Sequence, residues 1–335
     1  MTESTETTVV AEPLPERMTW RDRVARAMGG DAWTIGLAVL FIALYVFTLL
    51  IRPGYGLEAL AIASLPVAFA AAGQAIVVIS GGIDLSIGSV IALTNVISAV
   101  MFVGAPELSV GIVLLVLLIG VAIGLLNGAL VVISRVPDIV VTLSMLFVWA
   151  GAALLVLETP GGGSVEWLSQ LIDGGIVVDF VPRALVLMLA VVGLVWIPLR
   201  RSRVGLSLYA IGSNQLAAFR SGVNVARTKI ISYGFAGFFG ALGGLALTAS
   251  TGIGTPIPGP YLLLSVAAIV LGGVSLAGGR GGMLGPIIGI FILGLIRADL
   301  TFMGVEPAFS TVIQGVIMVV VVMLGAYVTL RRAAV

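Results

Sequence analysis

The chain has no cysteine and no histidine in 335 residues, and its one lysine is Lys229. Without cysteine there are no disulfides and no thiolate nucleophile. Without histidine the usual acid–base side chain near neutral pH is missing, and so are the common zinc ligand sets. Charge is scarce as well: Asp, Glu, Lys and Arg make up 10% of the residues, against about 25% in a soluble domain. A net charge of +1 gives no bulk attraction to nucleic acid. The sequence contains no G-x-x-x-x-G-K-[ST] loop. The run Gly278-Gly279-Arg280-Gly281-Gly282 is glycine-rich but lacks the lysine, and it reads as a tight turn. A phosphate-binding loop of that kind is therefore excluded from this chain.

Hydrophobic residues, by contrast, make up 59% of the chain, and glycines number 44. A membrane span needs about 20 apolar residues. Uncharged runs give ten candidates, at about 33–51, 59–80, 86–103, 108–133, 139–157, 184–199, 230–250, 262–277, 283–298 and 309–329. The expected fold is an all-α polytopic bundle of about ten spans, with spans 8 and 9 short enough to be re-entrant. Pro and Gly in segment 251–260 separate spans 7 and 8. Residues 1–32 lack a signal-peptide pattern and read as a polar cytoplasmic tail. The transmembrane domain then covers 33–330, with a cytoplasmic loop at 200–229. With both termini inside, fourteen of the seventeen basic residues fall on the cytoplasmic side; Arg52, Arg183 and Arg297 do not. The outer loops are acidic, including segment 158–183. This is the bias that orients spans.

The sequence Ser80-Gly81-Gly82-Ile83-Asp84-Leu85-Ser86 places one carboxylate between two uncharged runs. An ionised group there is costly unless it meets a partner, a helix end or water. Gly81 and Gly82 allow a helix break, and broken backbone at membrane depth is tolerated only where protein or a wet cavity covers it. Asp84 thus has two compatible readings, a transport-path residue or a cap on the next helix. Gly272-Gly273-Val274-Ser275-Leu276-Ala277 resembles 81–86 as a weak internal repeat, suggesting two broken helices facing a midplane path. Polar groups inside apolar runs are the path candidates: Gln74, Asp84, Ser86, Asn95, Asn127, Thr142 and Ser144. Each could instead form an interhelical hydrogen bond, the preferred reading for Asn95 and Asn127. Arg297 and Asp299 are expected to form a local ion pair.

In the cytoplasmic loop, Ser213 or Asn214 can cap a short helix that Gly222 ends. That helix carries Gln215, Leu216, Ala217, Ala218, Phe219 and Arg220, and would suit docking of a soluble partner.

Four motifs in order resemble the ribose-type sugar ABC importer permeases. They are 81–93, Val136-Pro137-Asp138-Ile139-Val140-Val141-Thr142-Leu143, 210–225 followed by Lys229, and 270–281. Together they span about residues 60–329. The resemblance implies a permease dimer in the bacterial inner (plasma) membrane, coupled to a cytoplasmic ABC ATPase and a periplasmic sugar-binding protein. It implies no catalytic residues, no cofactor, no metal and no nucleic-acid partner. The Ala217-Ala218…Gly222 pattern matches the family's coupling loop, so Ala218→Arg is expected to abolish transport in a folded protein. Many relatives carry a glycine and then an arginine after the Thr-Leu pair; Ser144, Met145 and Trp149 stand here. Nucleosides or sugar alcohols remain alternative cargo. The rival class is a stand-alone secondary transporter or channel.

Overall fold

The computed structural model describes residues 20–176, 181–306, 308–317, 319, 320 and 323. Most of the expected N-terminal tail, and Arg331 and Arg332, lie outside the described residues. The helices are α1 (Trp20–Ile51), α2 (Leu57–Ile79), α3 (Ile87–Gly104), α4 (Ser109–Ser134), α5 (Asp138–Val156), α6 (Glu166–Gln170), α7 (Arg183–Arg201), α8 (Arg203–Ser213), α9 (Gln215–Arg220), α10 (Val225–Thr251), α11 (Tyr261–Leu271) and α12 (Leu284–Phe302). A short apolar helix, α13 (Ala308–Ile317), follows. A two-residue antiparallel pair, β1 (Gly175–Ile176) with β2 (Val181–Pro182), and an isolated antiparallel bridge between Gly161 and Gly254 are the β-structure among the described residues.

Among the described residues, eight helices are long and apolar enough to cross a membrane: α1, α2, α3, α4, α5, α7, α10 and α12. The chain is a polytopic membrane bundle. Of the two spans expected to be short, α12 is full length at 19 residues. Helix α11 has 11 residues and reaches only about 16 Å, half of the hydrocarbon layer. The expected loop 200–229 holds two helices, α8 and α9, and α10 begins within it.

The core is centred on α2, whose apolar window is 89% buried, whereas the windows of α1 and α5 are 11% buried. Helix α2 touches α3, α7, α8, α10, α11 and α12. Lipid supplies no hydrophobic drive between helices, so close van der Waals packing must hold them. Glycine makes that possible where α4 crosses α10. A Cβ on Gly124 would fall on the Tyr233 carbonyl oxygen, and one on Gly237 on the Gly120 carbonyl oxygen.

Helix ends are closed by glycine. The Gly81 amide donates to the Val78 carbonyl and Gly82 to Val77; likewise Gly273 donates to Val270 and Val274 to Ile269. These are Schellman ends with a left-handed glycine just past the helix, at φ 80° for Gly81 and 81° for Gly273. The structural repeat therefore pairs Gly81 with Gly273, one residue away from the sequence alignment that pairs Gly81 with Gly272.

Gly81 itself follows a full-length span. Helix α2 completes 23 residues before Gly81, about 34 Å and a full crossing. The α2–α3 break also lies one turn inside α5, beside Thr142. It belongs near the end of the bundle that carries α9, here termed the α9 end; the opposite one is the α6 end. The deep irregularity is segment 254–260. Gly254 sits against Val96 and Ala99 of α3, while Gly259 and Leu262 lie at Gly88, at the start of α3. Tyr261 packs with Ala70, Ile87 and Ile91. Ala70 is thirteen residues below the start of α2, or about 20 Å. The segment thus runs extended from the α6 end to the middle of the layer, and α11 completes the crossing.

Replacing Gly124 with Leu should force α4 and α10 apart. The expected cost is about 1–3 kcal/mol, read as a lower thermal unfolding midpoint in detergent. Gly111→Leu, where an added Cβ meets nothing within 4 Å, should leave the midpoint unchanged. Equal midpoints for the two variants would remove the glycine crossing as a source of stability.

Candidate functional site

The α2–α3 break is held by a polar chain from three helices. Asp84 is 1% exposed. Its Oδ1 accepts from the Ser86 amide at 2.9 Å and from the Ser86 hydroxyl at 2.6 Å. This is an Asx turn leading into α3, so the contacts of Asp84 are those of a local cap. The Ser86 hydroxyl also accepts from Asn127 Nδ2 of α4 at 2.8 Å, and Trp149 Nε1 of α5 donates to Asn127 Oδ1 at 3.2 Å. On the other side, Thr142 accepts from the Leu85 amide at 3.1 Å, and its hydroxyl proton faces the Ile83 and Asp138 carbonyls. Asp84, Ser86, Asn127 and Thr142 therefore converge on one break. Ser144 stands apart on an exposed face of α5, with its hydroxyl donating to Val140 of its own helix.

A charged cluster lies just beyond, toward the α9 end. Lys229 Nζ and Asp138 Oδ2 form an ion pair at 3.2 Å, each side chain 14% exposed. The Tyr233 hydroxyl donates between Asp138 Oδ2 and the Ile83 carbonyl, at 3.2 and 3.3 Å. Gly82 is required here because a Cβ would meet Asp138 Oδ2. A cavity of about 700 Å³ opens beside this cluster, lined in part by Arg135, Asp138, Gln215, Phe219 and Lys229.

Helix α9 borders that cavity. Asn214 is its N-cap, with Oδ1 accepting from the Ala217 amide at 2.9 Å. Gly222, at φ 85°, closes it with a third Schellman pair, Gly222 to Phe219 and Val223 to Ala218. Ser213 is the last residue of α8. Leu216 and Phe219 are 58% and 66% exposed, and Gln215, Ala217 and Arg220 are exposed too. Ala218 is buried against the bundle. Ala218→Arg, the change expected from sequence to test docking, would therefore disrupt the seat of α9 on its own chain, so Phe219 is the residue to change.

The α8 helix joins α9 to the core. A Cβ on Gly212 would fall on the Ile79 carbonyl oxygen and the Gly279 amide. The Gly279 amide donates to that same Ile79 carbonyl at 2.9 Å. Tyr209 of α8 donates to the Gly281 carbonyl at 2.7 Å. Burial pushes the Tyr209 phenol above the ordinary tyrosine range.

Toward the α6 end, Asn95 bridges elements. Its Nδ2 donates to Thr248 Oγ1 of α10 at 2.8 Å and to the Ile253 carbonyl at 3.1 Å, and its Oδ1 accepts from the Thr255 amide at 2.7 Å. Gln74 is fully buried in α2, and neither its Oε1 nor its Nε2 has a partner among the described residues. The ion pair expected between Arg297 and Asp299 does not form. They are two positions apart on a helix and so point to different sides: Arg297 is exposed and Asp299 is buried. Trp149, Tyr233, Thr248 and Gly212 escaped the sequence reading. Trp149 carried a signal, since it stands where the resembling family differs.

Removing one partner of the Lys229–Asp138 pair leaves a partly buried charge unpaired. Lys229→Met should cost about 3 kcal/mol, and adding Asp138→Asn should recover most of it. Thermal unfolding of the three proteins in detergent checks this; a double variant no better than the single would show the pair to be uncoupled.

Comparison with known proteins places this architecture. The family described as "Branched-chain amino acid transport system / permease component" matches residues 56–322. The ribose import permease protein RbsC of Bacillus subtilis (strain 168) is 32% identical over 258 residues, covering 75% of this chain and 79% of the relative. The ribose import permease protein RbsC of Escherichia coli (strain K12) is 32% identical over 265 residues, covering 76% and 81%. The autoinducer 2 import system permease protein LsrD of Yersinia enterocolitica is 30% identical over 267 residues, covering 76% and 78%. No solved structure matches. With four-fifths of its length inside the matched region, the chain belongs to this family of transport-system permease components.

Proposed function

We propose that the chain is the membrane subunit of an ATP-binding-cassette importer for a monosaccharide or a close relative, such as a sugar alcohol or nucleoside. The observation that carries this is α9: a capped short helix between two spans, with Leu216 and Phe219 exposed and its base joined to α2 through Gly212. In this reading the α9 end is cytoplasmic and receives a separate ATPase, the α6 end receives a periplasmic binding protein, and a second permease copy encloses the path in the inner membrane. The chain supplies no catalysis of its own. ATP binding by the partner would shift the population between outward- and inward-open states by contacting one of them better.

The cargo class follows from charge. A zwitterionic amino acid needs partners for an ammonium and a carboxylate, and the spans offer few: Asp84 is taken up by Ser86, and Asp138 by Lys229. Neutral hydroxyls and amides suit a neutral polyhydroxylated solute. The occupation of Asp84 leaves an ion-coupled secondary transporter, which needs a coupling-ion site, with Asp299 near the end of α12 as its remaining buried carboxylate among the described residues.

Proteoliposomes holding this chain, an ATPase encoded beside it and the cognate binding protein test the reading with a labelled panel including D-ribose and L-leucine. Uptake of a sugar that needs both internal ATP and the binding protein is expected. Uptake that follows an ion gradient without ATP would overturn it. Phe219→Asp should remove an apolar anchor worth about 2 kcal/mol or more, a roughly thirtyfold loss of ATP-driven uptake, with thermal stability unchanged. Retained uptake in that variant would refute docking at α9.

A further inference from the structure

Segment 254–260 ends at mid-layer without regular structure, which needs a physical account. Its sequence Thr255-Pro256-Ile257-Pro258-Gly259-Pro260 alternates proline with other residues. Proline has no N–H, so between 256 and 260 only Ile257 and Gly259 carry a donor. The upper end of the segment is satisfied: Gly254 exchanges both backbone bonds with Gly161, and Asn95 takes the Thr255 amide and the Ile253 carbonyl. The lower end begins α11, where the Pro260 carbonyl accepts from Leu264. Between them, the carbonyls of Pro256, Ile257, Pro258 and Gly259 accept no hydrogen bond among the described residues. Ile257 is 68% exposed, Pro260 is also exposed, Pro258 and Gly259 are half-buried, and Pro256 is buried.

Unpaired carbonyls do not face lipid. Irregular backbone at this depth occurs only where protein buries it or water wets it, and transporters use such unwound backbone at the centre of the layer to contact cargo. We infer that the backbone at 256–259 lines the wet path and that its carbonyls accept hydrogen bonds from the hydroxyls of a neutral polyhydroxylated solute. Acceptors outnumber donors along the segment, which matches a ligand rich in O–H, and several weak sites in series allow release as readily as entry. Asn95 is a positioning residue: it pins the top of the segment to α3. The exposed flank requires a second copy, or the solvent-filled space between copies, to cover it. This deepens the importer reading and rests on it for the identity of the solute.

The chain's lack of cysteine makes the test direct. Three single variants would be treated with a membrane-impermeant thiol reagent: Ile257→Cys, Leu194→Cys at an exposed position in the middle of α7 (77% exposed) and Thr159→Cys near the α6 end. The vesicles would be those of the uptake assay. A thiol reacts as thiolate and so needs water. The thiol placed at position 257 should therefore react about tenfold or more faster than the one at 194, and approach the one at 159. The accumulated monosaccharide, D-ribose first, should slow the reaction of the Ile257→Cys variant and not that of Thr159→Cys, and L-leucine should slow neither. If Ile257→Cys reacts as slowly as Leu194→Cys while Thr159→Cys reacts, the wet lining is overturned, even with uptake intact. Fast reaction at 257 unaffected by an accumulated sugar would overturn solute contact. Absence of uptake for the whole panel would instead count against the importer reading, and the labelling rate at 257 would still decide whether the backbone is wet.

Discussion

In hydrocarbon a backbone N–H or C=O without a partner is costly, and this requirement governs every place where the chain stops being helical inside the layer. The solutions are local and varied. Gly81 and Gly273 fold the last turn of α2 and α11 back on itself. Thr142 serves both Leu85 and Ile83 across the α2–α3 break. Trp33 Nε1 reaches from α1 to the Leu271 carbonyl at the end of α11, 2.9 Å away. Asn95 does the same for segment 253–255. Many polar side chains in the spans that look like path residues are thus caps for backbone belonging to another helix.

The same breaks bring distant elements into contact. The end of α2, the turn at 278–279 and the end of α8 meet at bare backbone, with Gly212 leaving no side chain between them. Contacts of that kind do not compress, since a core has few voids to absorb a displacement. In the proposed importer a push on α9 therefore reaches α2 through Gly212 rather than being lost in a soft loop. The Lys229–Asp138 pair and Tyr233 sit beside this joint and tie α5 and α10 to the α2–α3 break.

Much of this was legible in the sequence, and the failures have physical causes. Apolar runs marked the spans because burial in lipid demands length and composition together. Asn214 and Gly222 marked the ends of α9 because capping needs those side chains. The inward face of α9 was not legible: six residues give too little periodicity to say that Ala218, and not Phe219, meets the bundle. The Gly81–Gly273 pairing was hidden because two adjacent glycines offer two registers, and only the hydrogen bonds choose. The partners of Asn127 and Asn95 lie on other helices, so their bonds depend on a packing that one-dimensional patterns do not encode. Segment 251–260 was read as a separator between spans, and the depth of its stretch 254–260 emerged only from what it touches.

The burial of α2 has a consequence for biogenesis. Its partners α10, α11 and α12 are made more than a hundred residues later. During synthesis α2 must therefore reside in lipid with the face that carries Gly73, which meets Ala236 of α10, uncovered and waiting for the C-terminal half to arrive. Non-local pairing of this sort is slow and leaves partly assembled chains vulnerable. A protein interrupted before α10 would hold an inserted N-terminal half with only the small α3–α4–α5 cluster of its core, so membrane quality control has a window, set by the rate of translation, in which to recognise it.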